Sequence, residues 1–294
     1  MSAERGETII QAAKRHGIDI PHLCYKEGMR ADGNCRACMV EIKGERVLAP
    51  SCCRAPTAGM EVSSDSPRAV HSQKLVIEML AADVPQRVYK LDSELDYWKR
   101  RLKIGVPRFE ARAQPPSDLS HPAMAVNLDA CIQCTRCVRA CREEQVNDVI
   151  GYAFRGASSQ IVFDLADPMG VSTCVACGEC VQACPTGALA PAHDAYLVPV
   201  DKTVASVCPY CGVGCQLTYH VADNRIVRVE GRDGVANRER LCVKGRFGFD
   251  YVHHRQRLTT PLIRKPGIPK SADFVIDPDD ALSVFREASW AEAL

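Results

Sequence analysis

The chain has 294 residues and a formal charge of +1, its 37 Lys and Arg matching 36 Asp and Glu. That balance gives no electrostatic reason to expect nucleic acid or an acidic membrane as a partner. No apolar run nears the ~18 residues needed to cross a bilayer, and the start, Met1-Ser-Ala-Glu-Arg-Gly-Glu7, has no apolar signal core. Arg100-Arg101 sits mid-chain and is no N-terminal export signal, so a cytoplasmic protein of roughly two to four small domains is expected.

In chain order, Thr8 caps a short predicted helix with Ile9, Ala12, Ala13 and His16 on one face, and Gly17 stops it. His16 is expected to pack at the helix end. Gly33-Asn-Cys35-Arg-Ala-Cys38 reads as a tight loop of small residues. Met39–Ile42 and Arg46–Leu48 read as strands around the turn Lys43-Gly44-Glu45. Ser66-Pro67 opens a helix whose apolar stripe is Val76, Met79 and Leu80. Leu91, Leu95, Trp98 and Leu102 recur at helical spacing up to Gly105, and Gln114 to Asp118 reads as a linker. Ile161–Leu165 is a predicted strand, as are Gln216–Val221 and Arg225–Val229 around Ala222-Asp-Asn224. From about residue 258 the chain turns proline-rich and charged, and it ends in a short amphipathic segment at Leu294.

Seventeen cysteines dominate this frame, sixteen of them in four blocks. Cys24, Cys35, Cys38 and Cys52 read C-x10-C-x2-C-x13-C. Cys131, Cys134, Cys137 and Cys141 read C-x2-C-x2-C-x3-C, and Cys174, Cys177, Cys180 and Cys184 repeat that spacing, followed by Pro185. Cys208, Cys211, Cys215 and Cys242 read C-x2-C-x3-C-x26-C, and Cys53 is left over. Disulfides suit small secreted domains, for which no signal is seen. Structural zinc pairs two hairpins across a longer spacer and does not place four cysteines in eleven residues. Dense soft thiolates suit iron–sulfur clusters, which pass single electrons.

The first block, with Ile20-Pro21, Leu23-Cys24-Tyr25, Gly33 and Ser51-Cys52, resembles the plant-type [2Fe–2S] ferredoxin domain in the variant of respiratory complex I and its relatives. The resemblance implies a β-grasp domain over residues 1–65 whose first hairpin is missing, since only five residues precede Gly6-Glu7-Thr8-Ile9. It favours Cys52 over Cys53 as the fourth ligand: Ser51 and the distance to Gly59-Met60 point to Cys52, whereas Pro56 stands at the right distance from Cys53. Cys53 is then expected to be a buried small hydrophobe. A helical linker follows over 66–120. Residues 121–200 resemble the bacterial 2[4Fe–4S] ferredoxin, in which the fourth cysteine of each run serves the other cluster. That implies one cluster on Cys131, Cys134, Cys137 and Cys184, and another on Cys174, Cys177, Cys180 and Cys141. Arg142 stands where a proline would complete the first run.

Cys208-Pro-Tyr-Cys211-Gly-Val-Gly-Cys215 and Leu241-Cys242-Val-Lys244-Gly245 resemble the [4Fe–4S] domain of molybdopterin oxidoreductases, here 201–257, with 258–294 as the start of a pterin-binding domain. In that family Lys244 corresponds to a relay between cluster and pterin, and solvation of a surface lysine is the simpler alternative. The α+β, multidomain order looks like the α subunit of a cytoplasmic NAD-dependent formate dehydrogenase. The resemblance implies one [2Fe–2S] and three [4Fe–4S] clusters here, and a molybdenum or tungsten bis-pterin guanine dinucleotide in the complete enzyme. It implies two partners, a catalytic pterin-binding domain and a flavin- and NAD-binding diaphorase subunit. Electrons would enter at the Cys208 cluster and leave toward the Cys24 cluster. The family's catalytic residues lie beyond the fourth block, so none is expected in this chain. Complex I and NAD-linked hydrogenases insert a cluster held by one histidine and three cysteines, but no cysteine lies between 54 and 130, and His71 and His121 are expected to be structural. The alternatives are an arm of another molybdopterin oxidoreductase, a free multi-cluster ferredoxin and, last, a zinc scaffold.

Overall fold

The computed structural model describes residues 2–84, 87–271 and 274–294. It forms two compact units, Met1–Arg246 and Phe247–Leu294. In the first, helix α1 (Ile9–Arg15) starts at Thr8, whose N–H donates to Gln11 Oε1 at 3.0 Å. It ends on Gly17 with φ +77°, where Gly17 N–H reaches Lys14 and Ile18 N–H reaches Ala13, the paired bonds of a Schellman stop. His16 is exposed and bonded to the Ser2 carbonyl, not packed as expected, because it lies at the solvent end of that stop.

Strand β1 (Met39–Ile42) pairs antiparallel with β2 (Ala49–Pro50) on one side and β3 (Val62–Ser63) on the other. The second strand therefore falls three residues later than Arg46, where alternation is replaced by Ser51 donating to the Cys38 carbonyl at 2.8 Å. Among the described residues no strand precedes α1.

Helix α2 (Pro67–Ala82) is capped by Ser66, whose Oγ accepts from Ala69 N–H at 3.2 Å. It buries Ala69, Gln73, Ile77 and Ala81, an i, i+4 row. The expected stripe is thus rotated: Val76 and Leu80 are half-buried flanks and Met79 is exposed. Gln73 sits in the row because its side chain ties the Met39 and Ser64 carbonyls together, at 2.9 and 3.0 Å. Helix α3 (Glu94–Arg101) starts at Ser93 and buries Leu95 and Trp98, while Leu91 lies exposed before it. Ile77, Leu95 and Trp98 share one apolar cluster with Leu23, Cys24, Ala37, Ile132 and Cys134. The cysteine-free stretch is therefore a packing wedge between the first two cysteine regions.

Strand β4 (Met124–Val126) opens the repeat region, followed by α4 (Arg136–Arg139), β5 (Ile150–Ala153), β6 (Gln160–Phe163) and α5 (Glu179–Ala183). Strand β7 (Leu189–Pro191) returns to pair antiparallel with β4 and closes the region. β5 pairs with β6, so the predicted strand at Ile161 ends before Leu165, which is exposed. A three-stranded sheet then orders β10 (Arg225–Gly231), β9 (Gln216–Ala222) and β8 (Lys202–Val207). Its hairpin turn is Asp223-Asn224, both at positive φ, as a two-residue connection between twisted strands needs. Strand β8 was not expected from the sequence; its mostly exposed pattern hides the alternation. Helix α6 (Val243–Phe247) follows Cys242.

Within the second unit, β11 (Leu262–Arg264) pairs antiparallel with β12 (Phe285–Glu287), with α7 (Ala281–Val284) before β12 and α8 (Trp290–Ala293) last. Trp98→Ala is expected to cost about 3–5 kcal/mol in the loaded protein, measured by denaturant unfolding, against less than ~1 kcal/mol for exposed Met79→Ala. Equal losses would contradict this packing.

Candidate metal centres

The two repeated cysteine runs are built by one local device. A loop turns through left-handed backbone between the cysteines and points N–H groups at sulfur. In the first repeat Gln133 and Thr135 have φ of 56° and 60°; in the second, Ala176 and Gly178 have 55° and 72°. Three of these four are not glycine, and each such residue costs about 1–3 kcal/mol in isolation. The return is visible in the hydrogen bonds. Gln133 N–H donates to Cys131 Sγ and Ala176 N–H to Cys174 Sγ, both at 3.4 Å. Val149 N–H donates to Cys141 Sγ and Leu189 N–H to Cys184 Sγ, again at 3.4 Å. Donors of this kind support a thiolate.

The sulfurs meet in the crossed arrangement. One cavity is lined by Cys131, Cys134, Cys137 and Cys184, roofed by Ile132, Pro185 and Leu189. Burial pushes the Cys131 thiol up to about 11 and the Cys134 thiol up to about 12. Cys137 is pushed well above its usual value, by burial first and then by Cys134, Cys131 and Cys184. The Cys180 thiol is raised by burial, then by Cys177, Cys174 and Cys141. Each run thus lends its last sulfur to the other. The two runs do so with different backbones. Pro185 forces Cys184 to extended φ, ψ of −71°, 122°, so α5 ends at Ala183. Arg142 imposes no such stop, and the helix continues past Cys141 as a π turn, Ala140–Glu144.

In the first block, hydrogen bonds from Cys35 and Cys52 lower the Cys24 thiol and push their own up. Cys52 also bonds Cys38, which falls to about 7. Cys24, Cys35, Cys38 and Cys52 are therefore neighbours. Cys53 is exposed, 3.6 Å from Cys52 Sγ, and packs on Gly33, where a Cβ would come within 2.8 Å of its sulfur. The expectation that Cys53 is buried is corrected: the turn that aims Cys52 inward aims its neighbour outward. In the fourth block Cys208 N–H donates to the Cys215 carbonyl at 2.9 Å. The Cys215 thiol is raised by burial, then by Cys208, Cys211 and Cys242, so these four also lie together. Cys211 and Cys242 are exposed. Lys244 is exposed, as a solvated lysine would be.

Among the described residues no three His, Cys, Asp or Glu converge on a point as a single metal ion requires. Cys131, Cys134, Cys137 and Cys184 instead line one cavity, and burial raises the first three thiols so that they hold their protons. That donor set fits polynuclear iron–sulfur groups, whose iron supplies the compensating charge. His121 accepts from Ala123 N–H at 3.1 Å, a structural role, and His71 is exposed on α2.

Buried arginines, not singled out in the sequence, join the blocks. Arg136, fully enclosed, donates to both carboxylate oxygens of Glu94 (2.6 and 2.8 Å) and to the Tyr25 carbonyl. Arg139 donates to the carbonyls of Cys24 (2.6 Å) and Cys134 (3.3 Å) and pairs with Asp32 at 3.1 Å. Their only signal in the sequence is position, inside the first C-x2-C-x2-C-x3-C run.

Comparison with known proteins bears on these sites. Residues 1–67 match the 2Fe-2S iron-sulfur cluster binding domain. Residues 121–190 match the ferredoxin-like domain of NADH-quinone oxidoreductase subunit 3, and 201–254 the molybdopterin oxidoreductase Fe4S4 domain. An NADH-quinone oxidoreductase subunit of Rhizobium meliloti is 34% identical over 91% of this chain and 32% of its own length. The corresponding NADH-quinone oxidoreductase subunit of Streptomyces coelicolor is 32% identical over 100% and 34%. A putative formate dehydrogenase of Staphylococcus haemolyticus is 26% identical over 99% and 32%. A chain in the crystal structure of NAD+-reducing [NiFe]-hydrogenase in the H2-reduced state superposes with a TM-score of 0.63 at 27% identity, covering 69% of this chain and 88% of that one. The chain thus spans about a third of the length of these curated relatives. It carries domains of 2Fe–2S, 4Fe–4S and molybdopterin oxidoreductase Fe4S4 type and is similar to these NADH-quinone oxidoreductase subunits. No helix among the described residues is long and apolar enough to cross a membrane.

Two substitutions test the sulfur sets. Cys52→Ser should abolish the [2Fe–2S] signal in the paramagnetic spectrum and Cys53→Ser should leave it; the reverse would reassign the ligand. Cys131→Ala and Cys184→Ala should remove the same [4Fe–4S] signal, and loss of different signals would refute the crossing.

Proposed function

We propose that this chain is the electron-transfer arm of an NAD-linked oxidoreductase complex whose complete form oxidises formate to CO2. Its residues would hold one [2Fe–2S] cluster on Cys24, Cys35, Cys38 and Cys52. Three [4Fe–4S] clusters would sit on the crossed sets of the repeat and on Cys208, Cys211, Cys215 and Cys242. When bound, such clusters accept and release single electrons. The chain's own part is to bury the sulfurs, donate N–H groups to them, and fix the sites against one another through buried guanidinium groups. The observation that carries the reading is the cavity shared by Cys131, Cys134, Cys137 and Cys184. The domains follow as 1–65, 66–120, 121–200 and 201–257, with 258–294 leading into a pterin-binding region. Lys244, exposed beside Cys242, is the relay candidate toward that region, and the diaphorase subunit would meet the Cys24 end in the cytoplasm.

Formate is supported by the putative formate dehydrogenase relatives and by the lack of any cysteine from 54 to 130, which leaves no room for the histidine-and-three-cysteine site of complex I. A second reading, an arm of an NADH-quinone reductase, is supported by the higher identity to the Rhizobium meliloti subunit. The loaded chain should contain about 14 irons with matching sulfide, by metal analysis; stoichiometric zinc without sulfide would end both readings. In the isolated complex, formate should bleach the cluster absorbance. Bleaching by NADH with inertness to formate would favour the second reading.

A further inference from the structure

The junction between the repeat region and the fourth cysteine block is made by an ion pair buried from solvent on both sides. Glu179 immediately precedes Cys180 on α5, and Arg246 lies on α6, four residues past Cys242. Their side chains are 7% and 3% exposed, and the Arg246 Nη2 group contacts Glu179 Oε1. The same carboxylate oxygen accepts from Leu241 N–H at 2.9 Å. Arg246 Nε donates to the Cys177 carbonyl at 2.8 Å and Nη1 to Gln182 Oε1 at 2.6 Å. Gln182, one turn along α5, accepts in turn from Gly231 N–H at 2.9 Å. On the other side Gly245 lies so near the fourth block that a Cβ there would meet Cys208 Sγ at 3.5 Å. One guanidinium therefore touches a cysteine carbonyl of one sulfur set while its chain neighbour packs against a sulfur of the next.

Two full charges in such a place are not needed for adhesion. Replacing a buried pair by neutral groups is often tolerated, whereas removing one partner leaves an uncompensated charge. Both charges reach the sulfur site. Arg246 Nε lies 2.8 Å from the Cys177 carbonyl, and Glu179 is the residue next to Cys180. A carboxylate disfavours added negative charge nearby and a guanidinium favours it, and both act at low local dielectric.

We propose that Glu179 and Arg246 are positioning residues that set, by opposed charges, how readily the site of Cys174, Cys177, Cys180 and Cys141 takes an electron relative to the site of Cys208. This rests on the reading of the cysteine sets as cluster sites. It adds that the balance between adjacent sites is held by a neutralisable pair outside the ligands.

The test uses the full chain, reconstituted anaerobically, with iron and sulfide counted before a redox titration followed by paramagnetic resonance. Arg246→Gln should make one [4Fe–4S] couple about tenfold harder to reduce at a given potential, ~59 mV for one electron. Glu179→Gln should make the same couple easier to reduce by a similar factor. Arg246→Lys should stay near the wild type, and the double variant Glu179→Gln/Arg246→Gln should return close to it. Unchanged potentials at full iron content, or shifts of one sign in both single variants, would overturn the proposal. If a single variant loses iron, the double variant decides, because it leaves no unpaired charge. Full iron with a near-native potential supports charge balance, and loss of iron there shows a purely structural fastener and overturns it. A wild-type chain that binds no iron would instead defeat the cluster reading.

Discussion

Burying many ionisable sulfurs close together is the constraint from which the rest of this structure follows. A thiol taken out of water keeps its proton, and neighbouring thiolates repel one another, so a set of four becomes anionic only against a compensating cation. The protein's answer is mostly main chain. Left-handed residues at matched positions of the two repeats turn N–H groups onto Cys131 and Cys174, and later loops bring Val149 and Leu189 to Cys141 and Cys184. Few large apolar side chains lie within each small loop, and one apolar cluster lies where the helical wedge meets the first two cysteine regions.

What the sequence makes legible here is what depends on spacing. The Thr8 and Ser66 caps and the Asp223-Asn224 turn are local chemistry, and each stands where the residues point. What depends on neighbours distant in the chain is less legible. The stripe of α2 is rotated toward Gln73 because two carbonyls from other segments need its amide. The second strand slides to Ala49 because Ser51 is held by Cys38. Cys53 is outside because a tight turn cannot aim two adjacent side chains at one centre. The buried arginines were invisible for the same reason: Arg136, Arg139 and Arg246 look like surface cations until Glu94, Cys24 and Glu179 are folded against them.

Those arginines also help explain why residues 1–246 form one compact unit although three separate domain families match along it, the last running on to residue 254. A guanidinium offers several fixed donors and can satisfy carbonyls from two loops at once. Arg139 does so for Cys24 and Cys134, and Arg136 joins the Tyr25 carbonyl to the Glu94 carboxylate. Loops shaped for sulfur leave main-chain acceptors facing inward, and it is these that the arginines collect.

The exchange of Cys141 and Cys184 between the repeats has a consequence for biosynthesis. While the polypeptide emerges from the ribosome, the cavity that Cys131, Cys134 and Cys137 begin cannot close until α5 and Pro185 have been made. Domains otherwise tend to fold in order of emergence. Here the earlier half must wait, because the fourth sulfur of its cavity is Cys184.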